Sequence, residues 1–201
     1  SVHRGEADIL VGTQLLAKGH DFPGLTLVGV LNADTALLST DYRAPERLFA
    51  VLAQVAGRAG RRELPGEVLI QTRYPQHPLF TALERHDFAG FADAQLAERR
   101  SAGFPPFVFE AALRAEAPQL ATAMSFLREA AAIAPAPQVR VYDPVAHVIT
   151  RRAGFERAQL LFQSESRVAL QQHLATLSAS LFASGERRVR WHLDVDPIEF
   201  D

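Results

Sequence analysis

The residues best suited to chemistry are Gln54-Val55-Ala56-Gly57-Arg58-Ala59-Gly60-Arg61-Arg62, where a leading amide precedes two close-set glycines and two arginines three positions apart. On a helical path Arg58 and Arg61 fall on one face, so both guanidinium forks can reach a single target. The glycines remove side chains where a backbone or a phosphate would need room. A planar, permanently charged fork suits the negative charge that builds up on a transferring phosphoryl group. The same residues also fit a solvated basic helix end, where arginine complements the helix dipole.

The elements that must position this stretch read as a parallel α/β layer. Ile9-Leu10-Val11-Gly12 is a short apolar run, the pattern of a central parallel strand. Leu25 to Leu31 predicts a second buried strand, followed by Asn32-Ala33-Asp34. Ligands of such sheets sit outside the carboxyl ends of the strands, where the loops Thr13–Gly24 and Asn32–Asp34 lie. Apolar Leu48, Phe49, Leu52, Val55 and Ala56 have a helical period that runs into the arginine stretch, and Pro45 suits a first helical turn. Glu67 to Thr72 predicts a further strand.

Composition narrows the classes. The chain has 201 residues, 48% hydrophobic and 22% charged, enough to bury a core in one large or two small domains. A formal net charge of −2 leaves any nucleic-acid role to local patches. With no cysteine, disulfides, thiol catalysis and cysteine-ligated zinc are excluded within these residues. The seven histidines form no HxxxH or HExxH pair, so metal binding is not expected. There is no signal peptide and no apolar run near the roughly 18 residues of a membrane span, so a cytoplasmic protein without membrane contact is expected. Ser1 to Asp8 leads straight into an apolar strand, which reads as the middle of a larger domain.

A helix is predicted over Leu79 to Ser101, and Gly103-Phe104-Pro105-Pro106-Phe107 ends it. The second half then reads as strand (Val108 to Ala115), helix (118–134), strand (Val139 to Tyr142), a connection over 144–154, strand (Phe155 to Gln163), helix (166–183) and strand (Val189 to Val195). This β-α-β-β-α-β order is the ferredoxin-like plan. Arg151, Arg152 and Arg157 cluster around the connection, a pattern suited to phosphate contact. Arg167 and Gln171 are one helical turn apart, a small donor platform for a carboxylate or an ordinary exposed pair. Trp191 and the phenylalanines read as core.

The loop Gly12-Thr13-Gln14-Leu15-Leu16-Ala17-Lys18-Gly19-His20-Asp21-Phe22-Pro23, with Gln54 to Arg61, resembles motifs V and VI of superfamily 2 helicases. More closely, it is similar to the family of the replication-restart helicase PriA (primosomal protein N′). That likeness extends through Leu96-Ala97-Glu98-Arg99-Arg100, Pro105-Pro106 and Asp194-Val195-Asp196-Pro197-Ile198-Glu199. The resemblance implies an α/β chain in which residues 1–78 are the later part of a second RecA-like lobe with a parallel sheet. Residues 79–103 are then a connecting helix, and 104–201 a ferredoxin-like C-terminal domain that binds DNA or partners.

By the same resemblance, Arg58 and Arg61 are arginine fingers on the γ-phosphate of ATP, and Gln54 bonds the phosphate end or couples it to DNA. Gly19 permits a sharp turn and Asp21 meets the nucleotide ribose. Thr13 offers its hydroxyl to a DNA phosphate or serves only as a cap, and Lys18 serves the DNA backbone or solvent. Arg167 and Gln171 match positions that help bind the acidic, phenylalanine-ended tail of single-stranded DNA-binding protein. Where the family often shows Arg-Tyr-Arg, this chain has Phe155-Glu156-Arg157, which weakens the DNA surface there.

No GxxxxGKS/T phosphate loop and no DExH motif occurs in these residues. ATP with magnesium is therefore expected on a first lobe that the sequence lacks, and zinc only in a cysteine-rich insert that it also lacks. The whole would be an ATP-dependent 3′-to-5′ DNA helicase acting on forked and single-stranded DNA with primosome proteins, of which this piece alone is inactive. The rivals are a non-enzymatic nucleic-acid or protein-binding module and another superfamily 2 translocase.

Overall fold

The computed structural model describes residues 8–12, 25–39, 41–57, 66–133, 136–152 and 154–198 of a mixed α/β chain. By its internal contacts the chain divides into two compact units, residues 1–98 and 99–201.

In the first unit, β1 (Leu27–Val30) and β2 (Glu67–Ile70) form a parallel pair in register from Leu27 opposite Glu67 to Val30 opposite Ile70. The short helix α1 (Asp34–Leu37) and α2 (Ala44–Ala56) lie between them in sequence. Pro45 stands in the first turn of α2, where its missing N–H is not needed. Asp41, just ahead of that helix, accepts from the Arg43 N–H at 2.9 Å and pairs with Arg47. The apolar face of α2 buries Leu48, Phe49 and Leu52 against Ala33, Leu79, Phe80 and Phe91, and the Phe49 and Phe91 rings stack at 4.5 Å.

Three sequence expectations change here. Residues 8–12 form no strand, and Ile9 and Val11 are 84% and 87% exposed. A central parallel strand requires a neighbour on each side and cover on both faces, and among the described residues Ile9 to Val11 has neither. β1, expected to be buried, is half-buried, alternating exposed and intermediate residues as β2 does, because only one face is covered. The helix expected over Leu79 to Ser101 is two helices, α3 (Pro78–Glu84) and α4 (Phe88–Ala102). His86 between them is left-handed at φ 53°, and the Asp87 carboxylate accepts from the Gly90 N–H at 2.8 Å, capping a fresh start.

The second unit is a five-stranded antiparallel sheet with α5 (Leu120–Ala131) and α6 (Arg167–Ser184). Its strands are β3 (Phe109–Ala117), β4 (Arg140–Val141), β5 (Val145–Arg152), β6 (Phe155–Ser164) and β7 (Arg190–Val195). The order along the sheet is β4-β6-β3-β7. The connection expected over 144–154 is instead largely β5, which pairs antiparallel with β6 below β4 on the same side. The Arg152–Phe155 pair closes a two-residue loop. Gly154 in it has φ +85°, which L side chains rarely adopt. A proline- and arginine-bearing stretch lacks the alternating apolar signal of a strand, so its pairing was not legible locally.

Alternation divides the sheet's two faces. Ala111, Leu113, Ala115 and Ala117 of β3, with Ala158, Leu160 and Phe162 of β6, form one core with Ala123, Phe126, Leu127 and Ala130 of α5 and Leu170, Leu174, Leu177 and Leu181 of α6. The other face carries a ladder of charge. Arg114 pairs with Asp194 at 3.1 Å and Arg157 with Glu116 at 3.4 Å. Gln163 donates to Glu110 at 3.1 Å and accepts from the Tyr142 hydroxyl at 2.9 Å.

Candidate functional site

Gln54 is exposed on the last turn of α2, and Gly57 caps that helix, its N–H donating to the Ala53 carbonyl at 3.0 Å. A Cβ placed on Gly57 would meet only its own helix's backbone, the Ala53 carbonyl at 3.5 Å and the Gln54 carbonyl at 3.7 Å. Both are ordinary contact distances, so among the described residues space does not demand the glycine. Arg58 and Arg61 lie outside the described residues, as do Thr13, Lys18, Gly19 and Asp21.

At the carboxyl ends of β1 and β2 a small polar junction forms. Asn32 is left-handed at φ 57°, and the Ala33 N–H donates across to the Gln71 carbonyl at 3.3 Å. The Asp34 carboxylate accepts from the Thr72 hydroxyl at 2.5 Å and from the Arg73 N–H at 3.0 Å. These hydrogen bonds, the Thr72 hydroxyl first, hold its pKa below the ordinary carboxylate value because they favour the charged form. The sequence placed Asn32–Asp34 at this carboxyl end of the sheet. Thr72 and Arg73 as partners of Asp34 were missed, since a contact spanning 38 residues has no local signal.

In the second unit the arginines expected to act together are not equivalent. Arg151 and Arg152 lie on β5, their backbones opposite Glu156 and Phe155. Arg157 has a side chain only 14% exposed, in an ion pair with Glu116 and 3.4 Å from the ring of His147, which is itself buried. Its guanidinium is thus built into the sheet's polar face. The same end of the sheet gains a cation that sequence reasoning missed: the Arg190 guanidinium lies 4.3 Å from the Phe155 ring centroid. Phe155, read as a lost cation, is the platform for one contributed by β7.

Arg167 and Gln171 are both exposed on the first two turns of α6. The Ser166 hydroxyl accepts from the Ala169 N–H at 3.2 Å and so caps the helix. The N–H groups of Arg167 and Val168 belong to the first turn, which has no intrahelical acceptor for them and sits at the positive end of the helix dipole. The Arg167 guanidinium donates to Asp196 at 2.8 Å and lies 5.0 Å from the centroid of the Phe109 ring. Sequence spacing placed Arg167 and Gln171 on one face. It gave no sign of Phe109 or Asp196, which arrive from β3 and from the end of β7.

Among the described residues no group of three or more His, Asp or Glu side chains could hold a metal ion, and no helix is long and apolar enough to cross a membrane.

Comparison with known proteins gives these positions a context. The sequence model of one protein family, the primosomal protein N C-terminal domain, matches residues 100–198. The chain is 42% identical over 199 residues to the replication restart protein PriA of Haemophilus influenzae, covering 98% of this chain and 27% of that protein. It is 39% identical over 204 residues to that of Synechocystis, covering 98% and 24%, and 37% identical over 195 residues to that of Rickettsia conorii, covering 97% and 30%. The chain thus spans between about a quarter and a third of the length of these relatives. With both its arginine-glycine stretch and its C-terminal unit inside these alignments, the chain belongs to the PriA family.

Proposed function

We propose that the chain is part of an ATP-dependent 3′-to-5′ DNA helicase that acts at stalled or repaired replication forks and helps reassemble the primosome. The observation that carries this reading is the match to replication restart proteins along 98% of the chain, Gln54 to Arg61 included. Residues 1–78 then belong to a RecA-like lobe, a reading supported by the parallel β1–β2 pair and the polar junction at its carboxyl end. Residues 104–201 form a ferredoxin-like domain. Supporting this, β3, β4, β6 and β7 are the first to fourth strands of the plan, and their order is second-third-first-fourth. β5 is an addition at the edge.

Bound ATP with magnesium would supply the free energy of phosphoryl transfer. This chain's part is to bring permanent positive charge to it. Gln54 stands exposed at the end of α2. From there Arg58 and Arg61 stabilise charge that grows in the transition state. Gly19 and Asp21 hold the nucleotide side, while Thr13 and Lys18 meet the DNA backbone. Arg151 and Arg152 contact DNA phosphates in the second unit, and Arg190, held on the Phe155 ring, adds a cation. Arg157, fixed by Glu116, positions the strand that carries Phe155. Arg167 and Gln171 receive the acidic, phenylalanine-ended tail of single-stranded DNA-binding protein, supported by the guanidinium held at a helix N-terminus.

The test is DNA-stimulated ATP hydrolysis by the complete protein, wild type against Arg61→Ala. A loss on the order of 10³-fold with DNA binding retained is expected for an arginine finger. Unchanged turnover would remove Arg61 from the chemistry and favour a binding module that does not hydrolyse ATP.

A further inference from the structure

Arg167 is held from two sides by groups of different character. Its Nη2 donates to Asp196 Oδ2 at 2.8 Å, and its guanidinium carbon stands 5.0 Å from the Phe109 ring centroid. Both members of the ion pair are open to water, with side chains 61% and 50% exposed. We propose that Asp196 is an internal competitor at the carboxylate site of Arg167 and Gln171. It occupies a donor of Arg167 in the free protein and gives it up when an acidic partner tail binds. This rests on the assignment of that pair as the partner site.

Three observations favour competition over orientation. First, the guanidinium does not depend on Asp196 for its place. Phe109 is half-buried against the sheet's core and offers the guanidinium a fixed ring face 5.0 Å from its carbon, an attraction independent of Asp196. Second, the carboxylate can leave without the backbone moving. The Asp196 N–H donates to the Glu110 carbonyl at 2.9 Å and Pro197 behind it is fully buried, so side-chain rotation alone releases Arg167. Third, a carboxylate from a partner gains more than the one it displaces. It can take the guanidinium fork in bidentate form and lies at the positive end of α6, an 18-residue helix. Asp196 meanwhile places a negative charge where an anionic tail must arrive, so it sets the threshold of binding as well as filling the site. Exposed ion pairs are weak, which limits the effect to about fivefold in affinity.

The test measures binding of a fluorescent synthetic peptide of aspartates ending in phenylalanine, by anisotropy at low salt, on the complete protein. The variants are Asp196→Asn, Arg167→Ala and their combination. Asparagine tolerates the left-handed backbone of Asp196, φ 52°, and Asp196→Gly serves equally if the amide variant is unstable. Asp196→Asn is expected to tighten binding about threefold. Arg167→Ala should weaken it strongly and cancel the gain in the double variant. Arg167→Ala weakening the peptide while Asp196→Asn leaves it unchanged or weaker would overturn competition and make Asp196 an orienting group. Arg167→Ala binding as tightly as wild type would overturn the partner site itself, and competition with it.

Discussion

His173 lies on the inner side of α6, 4% exposed, with its ring 5.2 Å from that of Phe162 and no hydrogen-bond partner for Nε2 among the described residues. Burial holds its pKa below the ordinary 6.5, because desolvation penalises the charged ring. Below about pH 6.5 the unfolded chain takes up a proton there and the folded chain does not, so stability falls with pH in that window. His173→Leu removes the proton and fills the space with carbon. The drop in melting temperature between about pH 7 and about pH 5.5 should then be smaller than in wild type. An equal drop in the two proteins would show that other groups set the acid sensitivity. Residue identity was legible throughout, but commitment was not. Arg157 and Arg167 look alike in sequence, yet one is locked against Glu116 inside the sheet and the other stands free enough to change partners.

At the scale of elements, helix ends show most directly how local chemistry acts. α6 runs from the Ser166 cap to Gly185, which is left-handed at φ 65°, and no heavy atom lies within 4 Å of where an alanine Cβ would stand there. The position therefore needs glycine for backbone conformation and not for space. Gly185→Ala should cost about 1 kcal/mol, read as a lower urea midpoint with an unchanged slope. A neutral result would mean that the 184–188 turn adopts another conformation at no cost. In that turn the Glu186 carboxylate is held at about 2 by hydrogen bonds from the Arg188 guanidinium and N–H, which fixes the approach to β7. Six of the seven described strands were legible from apolar patterning in the sequence. β5 was not, and its register with β6 is set across a two-residue loop.

Over the whole molecule, the two units differ in how completely they bury what they expose to themselves. The core of residues 99–201 joins both helices to one continuous sheet face, with Leu113, Leu127, Leu160, Phe162, Leu170 and Leu177 fully buried. Expressed alone, residues 99–201 should melt in a single cooperative transition as a monomer. The parallel pair of the first unit leaves Leu27, Leu31 and Leu69 between 52% and 77% exposed. Residues 1–75 alone should therefore associate through an open apolar face and an unpaired strand edge. Size-exclusion chromatography and thermal melting of the two pieces check both expectations. A monomeric, cooperatively melting 1–75 would contradict the second.

By itself the sequence determined the α/β class, the helices α2, α5 and α6, every described strand but β5, the arginine-glycine stretch at the end of α2 and the family to which the chain belongs. Each of these is written in local periodicity, capping residues or a contiguous motif, all of which act over a few residues. Only the tertiary structure decided that Phe155 carries Arg190, that Thr72 and Arg73 hold Asp34, that Arg157 is spent on Glu116, and that Asp196 closes on Arg167. Those pairings join residues between 29 and 41 positions apart wherever strands and helices are brought together by burial. Their energies depend on exposure and on neighbouring charge, which no spacing along the chain records.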